Sequence, residues 1–200
     1  KLTGSTKPTY EQIHRAFNKL IDLDTVSFDR EIRVLRNRLQ AGMIYRLLSG
    51  IDQYKDTVSV TTSLAESALE ASLKHHRRLL DIRFGKPVSS RFTVIGMGKL
   101  GGRELNLSSD IDIFCVFDSE GRAALSCFND LSDYFIKLTQ RMVRSLDNMT
   151  ADGFVVRVDQ RLRPWGTAGQ LAISADACEE YYEIHGREWE RFALVKARPV

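Results

Sequence analysis

Residues 91–97, RFTVIGM, and residues 110–118, DIDIFCVFD, are two β-like runs with only eight residues, Gly102 to Ser109, between the glycine turn and Asp110. Parallel strands need a crossover of a dozen or more residues, usually helical. GGRELNLSS is too short and too polar to pack such a helix. The two runs therefore cannot open a dinucleotide-binding unit, although Gly96, Gly98 and Gly101 spell G-x-G-x-x-G. That unit also carries its acidic residue at the end of the second strand, whereas Asp110 stands at the start. NAD(H) binding is not expected.

The second signal is D-x-D. On a strand, residues i and i+2 share a face, so Asp110 and Asp112 project together and Ile111 and Ile113 oppose them. Adjacent carboxylates raise one another's pKa unless a cation lies between them. Mg²⁺ is bound by one or two such carboxylates together with substrate phosphates. The alternative is two exposed aspartates, each paired with an arginine. Asp159 weakens that alternative. It lies in the alternating run FVVRVDQRLRP, with Arg157 and Arg161 on its face and Arg163 two residues further on. Beside the D-x-D strand it completes a triad able to hold two metal ions about 4 Å apart, the arrangement used for in-line phosphoryl displacement.

The rest of the chain sets the frame. Residues 1–88 read as a helical lead-in: Thr9 and Gln12 form a capping box, and Phe28, Ile32, Leu35, Leu39, Met43 and Leu47 keep helical spacing. Leu64, Ala68, Ala71, Leu79 and Ile82 mark another helix, closed before Gly85-Lys86-Pro87. The basic residues among them (Arg33, Arg36, Arg38, His75, His76, Arg77 and Arg78) read as a solvated face, and His14 and His185 as surface. Residues 89–200 read as α/β. A helix is expected through Ala124, Phe128, Leu131, Phe135, Leu138, Met142 and Leu146, then a strand at QLAIS, a helix capped by Ser174 or Asp176, and a helical REWERFALVKAR. A net charge of +3 from 29 basic and 26 acidic residues does not call for nucleic acid. Cys115, Cys127 and Cys178 form no C-x-x-C pair and fit a reducing cytoplasm. No apolar run is long enough to span a bilayer.

Three blocks then narrow the reading. A small-residue turn ahead of a strand-borne carboxylate triad resembles the nucleotidyltransferase superfamily that includes DNA polymerase β. Met97-Gly98-Lys99 precedes Asp110 by ten residues, although Lys99 stands where that superfamily prefers Gly or Ser. GMGKLGGRELNLSSDIDIFCVFD, VDQRLRPWGTAGQL and GREWERFALVKARPV together resemble the enzymes that adenylylate and deadenylylate glutamine synthetase. Those enzymes carry two related domains, and Asn106, Ser108, Ile111, Arg191 and Lys196 match the adenylyl-removing copy. The match covers Arg91 to Val200, and the chain reads as a piece of a longer protein.

The resemblance implies an α+β fold, helical first and then a polymerase-β-like domain with a small mixed sheet flanked by helices. It implies phosphorolysis of adenylyl-tyrosine on glutamine synthetase to give ADP and tyrosine. The alternatives are adenylylation with ATP and transfer to another substrate. Two Mg²⁺ ions would be held by Asp110, Asp112 and Asp159. Phosphate or nucleotide would meet the turn at Gly98, Lys99, Gly101, Gly102 and Arg103, and also Ser109, Arg161 and Arg163. Arg103 could instead pair with Glu104 or Asp110, and Ser109 could merely cap a turn. Trp165 and Trp189 are expected in the core more than on adenine. Implied partners are glutamine synthetase and a PII-type signalling protein.

Overall fold

The computed structural model describes residues 6–87, 90–118 and 130–200. Three helices come first: α1 (Tyr10–Asn18), α2 (Thr25–Leu48) and α3 (Tyr54–Phe84). Each starts where a side chain can satisfy the free amides of a first turn. Thr9 and Gln12 form the expected reciprocal box on α1. Asp24 accepts from the Val26 and Ser27 amides at 3.0 Å on α2. Gly85, at φ +92°, ends α3. Phe28, Ile32, Leu39 and Met43 bury one face of α2, and Leu64, Ala68 and Ala71 do the same on α3. Ile82 departs from that pattern and is 72% exposed, because it lies on the outer side of the last turns of α3.

The sheet follows. β1 (Phe92–Gly96) leads through a single helical turn, α4 (Gly98–Gly101), into β2 (Ile111–Phe117). These two strands are antiparallel, with Phe92 opposite Phe117 and Gly96 opposite Ile113. The short connection therefore makes a hairpin, as its length requires. After α5 (Leu131–Asp147) come β3 (Val158–Asp159), β4 (Ala172–Ser174), α6 (Ala175–Glu180), α7 (Glu188–Ala193) and β5 (Arg198–Pro199). The five-stranded mixed sheet has the order β3-β2-β1-β5, and β4 also pairs with β2. β3 and β4 run parallel to β2. This is the expected α+β arrangement, with helices first and a small mixed sheet after.

One hydrophobic cluster joins the two parts, running from Phe17, Ile32, Leu69 and Leu80 through Val94 and Ile113 to Phe135 and Leu138. Ser72 Oγ donates to the Met142 carbonyl at 3.2 Å, tying α3 to α5. Ser174 caps α6 through the Ala177 amide. Among the described residues no helix is long and apolar enough to cross a membrane.

Several expectations are corrected. Arg33, His75 and His76 are not a solvated face. They are 1%, 0% and 4% exposed, because Arg33 finds backbone carbonyls and the imidazoles pack on Phe28. α5 runs from Leu131, capped by Asp130; Ala124 and Phe128 of the expected helix lie outside the described residues, as does Cys127. The alternating run around Asp159 is extended for two residues only. Beyond it the chain turns, with the Arg161 amide bonded back to Asp159 Oδ1.

Candidate active site

The site is built on the β1–β2 hairpin and the neighbouring β3. Parallel pairing sets Asp112 directly opposite Asp159 and Ile111 opposite Val158. Asp110 immediately precedes β2. The glycine turn closes over this strand end. Gly98 has φ +50°, and a Cβ there would lie 2.9 Å from Asp112 Oδ2. Only glycine both adopts that conformation freely and lets the backbone come this near the carboxylate. At Gly101 a Cβ would fall 2.0 Å from the Lys196 carbonyl oxygen, so the C-terminal segment lies flat on the turn.

That segment and α3 brace the turn from outside. Lys196 pairs with Glu104. Arg198 Nε donates to the Gly101 carbonyl at 2.9 Å, and its Nη2 donates to the Leu100 carbonyl at 3.1 Å and pairs with Glu66 of α3. The Leu105 amide donates to Thr62 Oγ1 at 3.2 Å, and the Tyr54 hydroxyl donates to Asn106 Oδ1 at 2.8 Å. Every residue of the E-L-N block thus has a structural partner. The bracing residues Glu66, Thr62 and Tyr54 carry no motif, and their pairing across long sequence distances leaves no mark in a single sequence.

The carboxylates are in unequal surroundings. Arg157 Nε donates to Asp110 Oδ1 at 2.5 Å, and its Nη2 donates to the Ser108 carbonyl at 2.7 Å. Arg157 thus pairs with Asp110 although alternation gives it the face of Asp159: the β2–β3 register continues past Val158, with the Ile111 amide donating to the Arg157 carbonyl at 2.9 Å, and sets Arg157 beside Asp110. Arg161 pairs with Asp159 at 2.5 Å, and hydrogen bonds from Arg161 hold the Asp159 carboxyl below the usual carboxylate range. Asp112 is in no ion pair among the described residues. Its carboxyl is pushed up, first by burial and then by the charges of Asp159 and Asp110.

These side chains do not gather around one point: among the described residues no cluster of three His, Cys, Asp or Glu is arranged to hold a metal ion. The arginines explain this, since each draws one carboxylate to itself. Yet Arg157 and Arg161 are 52% and 76% exposed, and exposed ion pairs hold weakly. The donor set, carboxylate oxygens around an unneutralised Asp112, suits a hard divalent cation. Asp110, Asp112 and Asp159 are the residues that could hold one.

The other expected contacts divide. Lys99 donates to Ser109 Oγ at 3.3 Å, and its charge favours ionised Asp112. Lys99 and Arg103 line a cleft of about 1150 Å³ between the turn and α3, which none of the three carboxylates lines. Arg103 is in no ion pair among the described residues, and Glu104 and Asp110 pair instead with Lys196 and Arg157. The Arg163 guanidinium donates from Nε, Nη1 and Nη2 to the carbonyls of Gly169, Gln160 and Thr167 and so fixes its own loop. Trp165 and Trp189 are not core, at 49% and 55% exposed, and Trp165 packs on Tyr181 at 4.4 Å. Cys115 is core, as expected.

Comparison with known proteins gives the family. The family model for glutamate-ammonia ligase adenylyltransferase matches residues 5–200. A "Bifunctional glutamine synthetase adenylyltransferase/adenylyl-removing enzyme" of Thioalkalivibrio sulfidiphilus is 44% identical over 182 residues, 88% of this chain and 19% of that protein. Proteins of the same name from Hahella chejuensis and Nitrosococcus oceani are 42% and 38% identical over 86% and 99% of the chain, and 18% and 22% of their own lengths. The chain spans about a fifth of the length of these curated relatives. It belongs to the glutamate-ammonia ligase adenylyltransferase family.

Proposed function

We propose that this chain carries the adenylyl-removing activity named in its relatives, the phosphorolysis of adenylyl-tyrosine on glutamine synthetase to tyrosine and ADP. The observation that supports it best is Asp112, set opposite Asp159, roofed by Gly98 and in no ion pair among the described residues. A phosphate oxygen attacks the phosphorus of the adenylyl group. The phosphorus–oxygen bond to tyrosine breaks, and the phenolate leaves with the bonding electrons and takes a proton. Tyrosine, with an ordinary pKa near 10, is a competent leaving group. Catalysis of such a transfer is mainly positioning and charge neutralisation.

Asp110, Asp112 and Asp159 would hold two Mg²⁺ ions, which supply neutralising charge for the incoming phosphate and the departing phenolate. Lys99 and Arg103 orient anionic groups at the turn, and Ser109 positions Lys99. Arg161 exchanges Asp159 for phosphate oxygens, which its planar fork fits. Buried Met97 and Leu100 keep water from the turn's inner side. Glutamine synthetase is the protein substrate, a PII-type protein the regulatory partner, and the cytoplasm the compartment.

The choice of removal over addition rests on the ELN, SSDID and WER…KAR spelling. Addition expels pyrophosphate from ATP, whereas removal admits orthophosphate, so the two are not reverses of one another. A site fitted to orthophosphate need not accommodate a triphosphate tail. Two incubations separate them: adenylylated glutamine synthetase with phosphate and Mg²⁺, and unmodified glutamine synthetase with labelled ATP and Mg²⁺. ADP in the first with no label incorporated in the second is expected. Label incorporated in the second, with no ADP in the first, would assign the chain to addition. Neither product would overturn the reading.

A further inference from the structure

A second cleft, of about 540 Å³, lies between α2, α3 and the C-terminal end of α5. His76 and Arg83 of α3 line it together with Arg141 and Arg144 of α5. About 15 Å of helix separates His76 from Glu66, which braces the glycine turn, so the cleft is distinct from the carboxylate edge.

Its charge is one-sided. Arg33 also lines it, but Arg33 donates to the backbone carbonyls of Asp29, Asn148 and Gly153. Asp29 is the acidic residue of the lining, and its carboxylate accepts the Ser145 hydroxyl. Arg83, Arg141 and Arg144 are in no ion pair among the described residues, and Arg83 lies over the Phe84 ring at 5.0 Å. His76 is the second, independent sign. It is 4% exposed, and neither of its ring nitrogens has a hydrogen-bond partner. A buried polar group without a partner is costly and rare. A water on one nitrogen would satisfy that atom and leave the arginine charge uncompensated.

We propose that this cleft binds a small oxyanion, carboxylate or phosphate, with Arg141 and Arg144 on its oxygens and His76 donating from below. The guanidinium fork matches both anion types. The recess of His76 limits the ligand to a small molecule, and the volume is that of an ordinary small-molecule site.

The test uses the whole chain in EDTA, so that no metal-bridged phosphate contributes. Inorganic phosphate and succinate are titrated separately by calorimetry, and the His76 ring resonances are followed by NMR. At least one probe should bind with Kd of about 1 mM or tighter and shift the His76 resonances. Arg141→Gln/Arg144→Gln should weaken that probe about tenfold or more. Both arginines sit outside the core, and circular dichroism checks that the variant is folded. Response to phosphate alone assigns a phosphate site, and response to succinate alone a carboxylate site. Binding of neither probe, binding unchanged in the double variant, or unmoved His76 resonances would overturn the proposal.

Discussion

Arg33 and Arg46 in the helical bundle are at most 1% exposed, whereas Arg157 and Arg161 at the sheet edge keep half or more of their side chains in water. The bundle arginines have fixed acceptors. Arg33 donates to three backbone carbonyls, and Arg46 pairs through Nε with buried Asp52 at 2.8 Å, its two terminal nitrogens lacking a hydrogen-bond partner among the described residues. The edge arginines hold carboxylates in pairs that solvent screens and a better cation can displace. The same residue type therefore serves two ends. Where desolvation is complete, losing a partner leaves a charge stranded and costs stability. Where it is partial, the partner is exchangeable, and Asp112, the carboxylate of the three that is in no ion pair among the described residues, is the one poised for a ligand.

The comparison is sharpest where one variant should strike activity and another stability. Asp112→Asn removes a charge shared by the proposed cations and should lower the rate of ADP formation by about 10³-fold or more. Steady-state assay of ADP release checks this. Asp52→Asn leaves the Arg46 guanidinium buried without its carboxylate and should destabilise the fold by about 3–5 kcal/mol, read from urea unfolding. Gly98→Ala lies between the two: its methyl would meet the Asp112 carboxylate and disfavour φ +50°. Displacing Asp112 by a fraction of an ångström should reduce the rate by about 10²-fold or less while costing about 1 kcal/mol of stability.

The smallest effect is a slope with pH. Burial, His75 and Arg141 push the His76 imidazole down to about 3. The unfolded chain takes up a proton below the ordinary imidazole value of 6.5 while the folded one stays neutral. Stability contributed by neutral His76 is thus complete above pH 6.5 and is lost as the pH falls toward about 3. The slope from this group is at most about 1.4 kcal/mol per pH unit, and unfolding midpoints of wild type and His76→Phe should diverge in that window. Parallel curves for the two would remove His76 from the acid response.

Much of the edge was legible because its constraints are local. The length of GGRELNLSS forced a hairpin, the D-x-D spacing fixed which side chains lie together, and Thr9 with Gln12 spelled a cap. What escaped was set by long-range packing. His75 and His76 look like a basic surface run until Phe28 of another helix stacks on His75 at 4.0 Å. Alternation puts Arg157 on the face of Asp159, but its pairing with Asp110 is set by the register between β2 and β3, which alternation within one run does not reveal. Arg163 had the spelling of a phosphate ligand, but its acceptors are carbonyls of a loop whose path no spacing reveals.

The most direct measurement is a paired one on Asp112→Asn and Asp52→Asn, with ADP release from adenylylated glutamine synthetase and thermal unfolding recorded on the same preparations. At a temperature where both are folded, Asp112→Asn should be inactive with an unfolding midpoint at or above that of wild type, since a carboxylate repulsion has been removed. Asp52→Asn should keep its rate per folded molecule and melt well below wild type. An active Asp112→Asn protein, or one that melts as low as Asp52→Asn, would contradict the assignment of Asp112 to chemistry rather than to the fold.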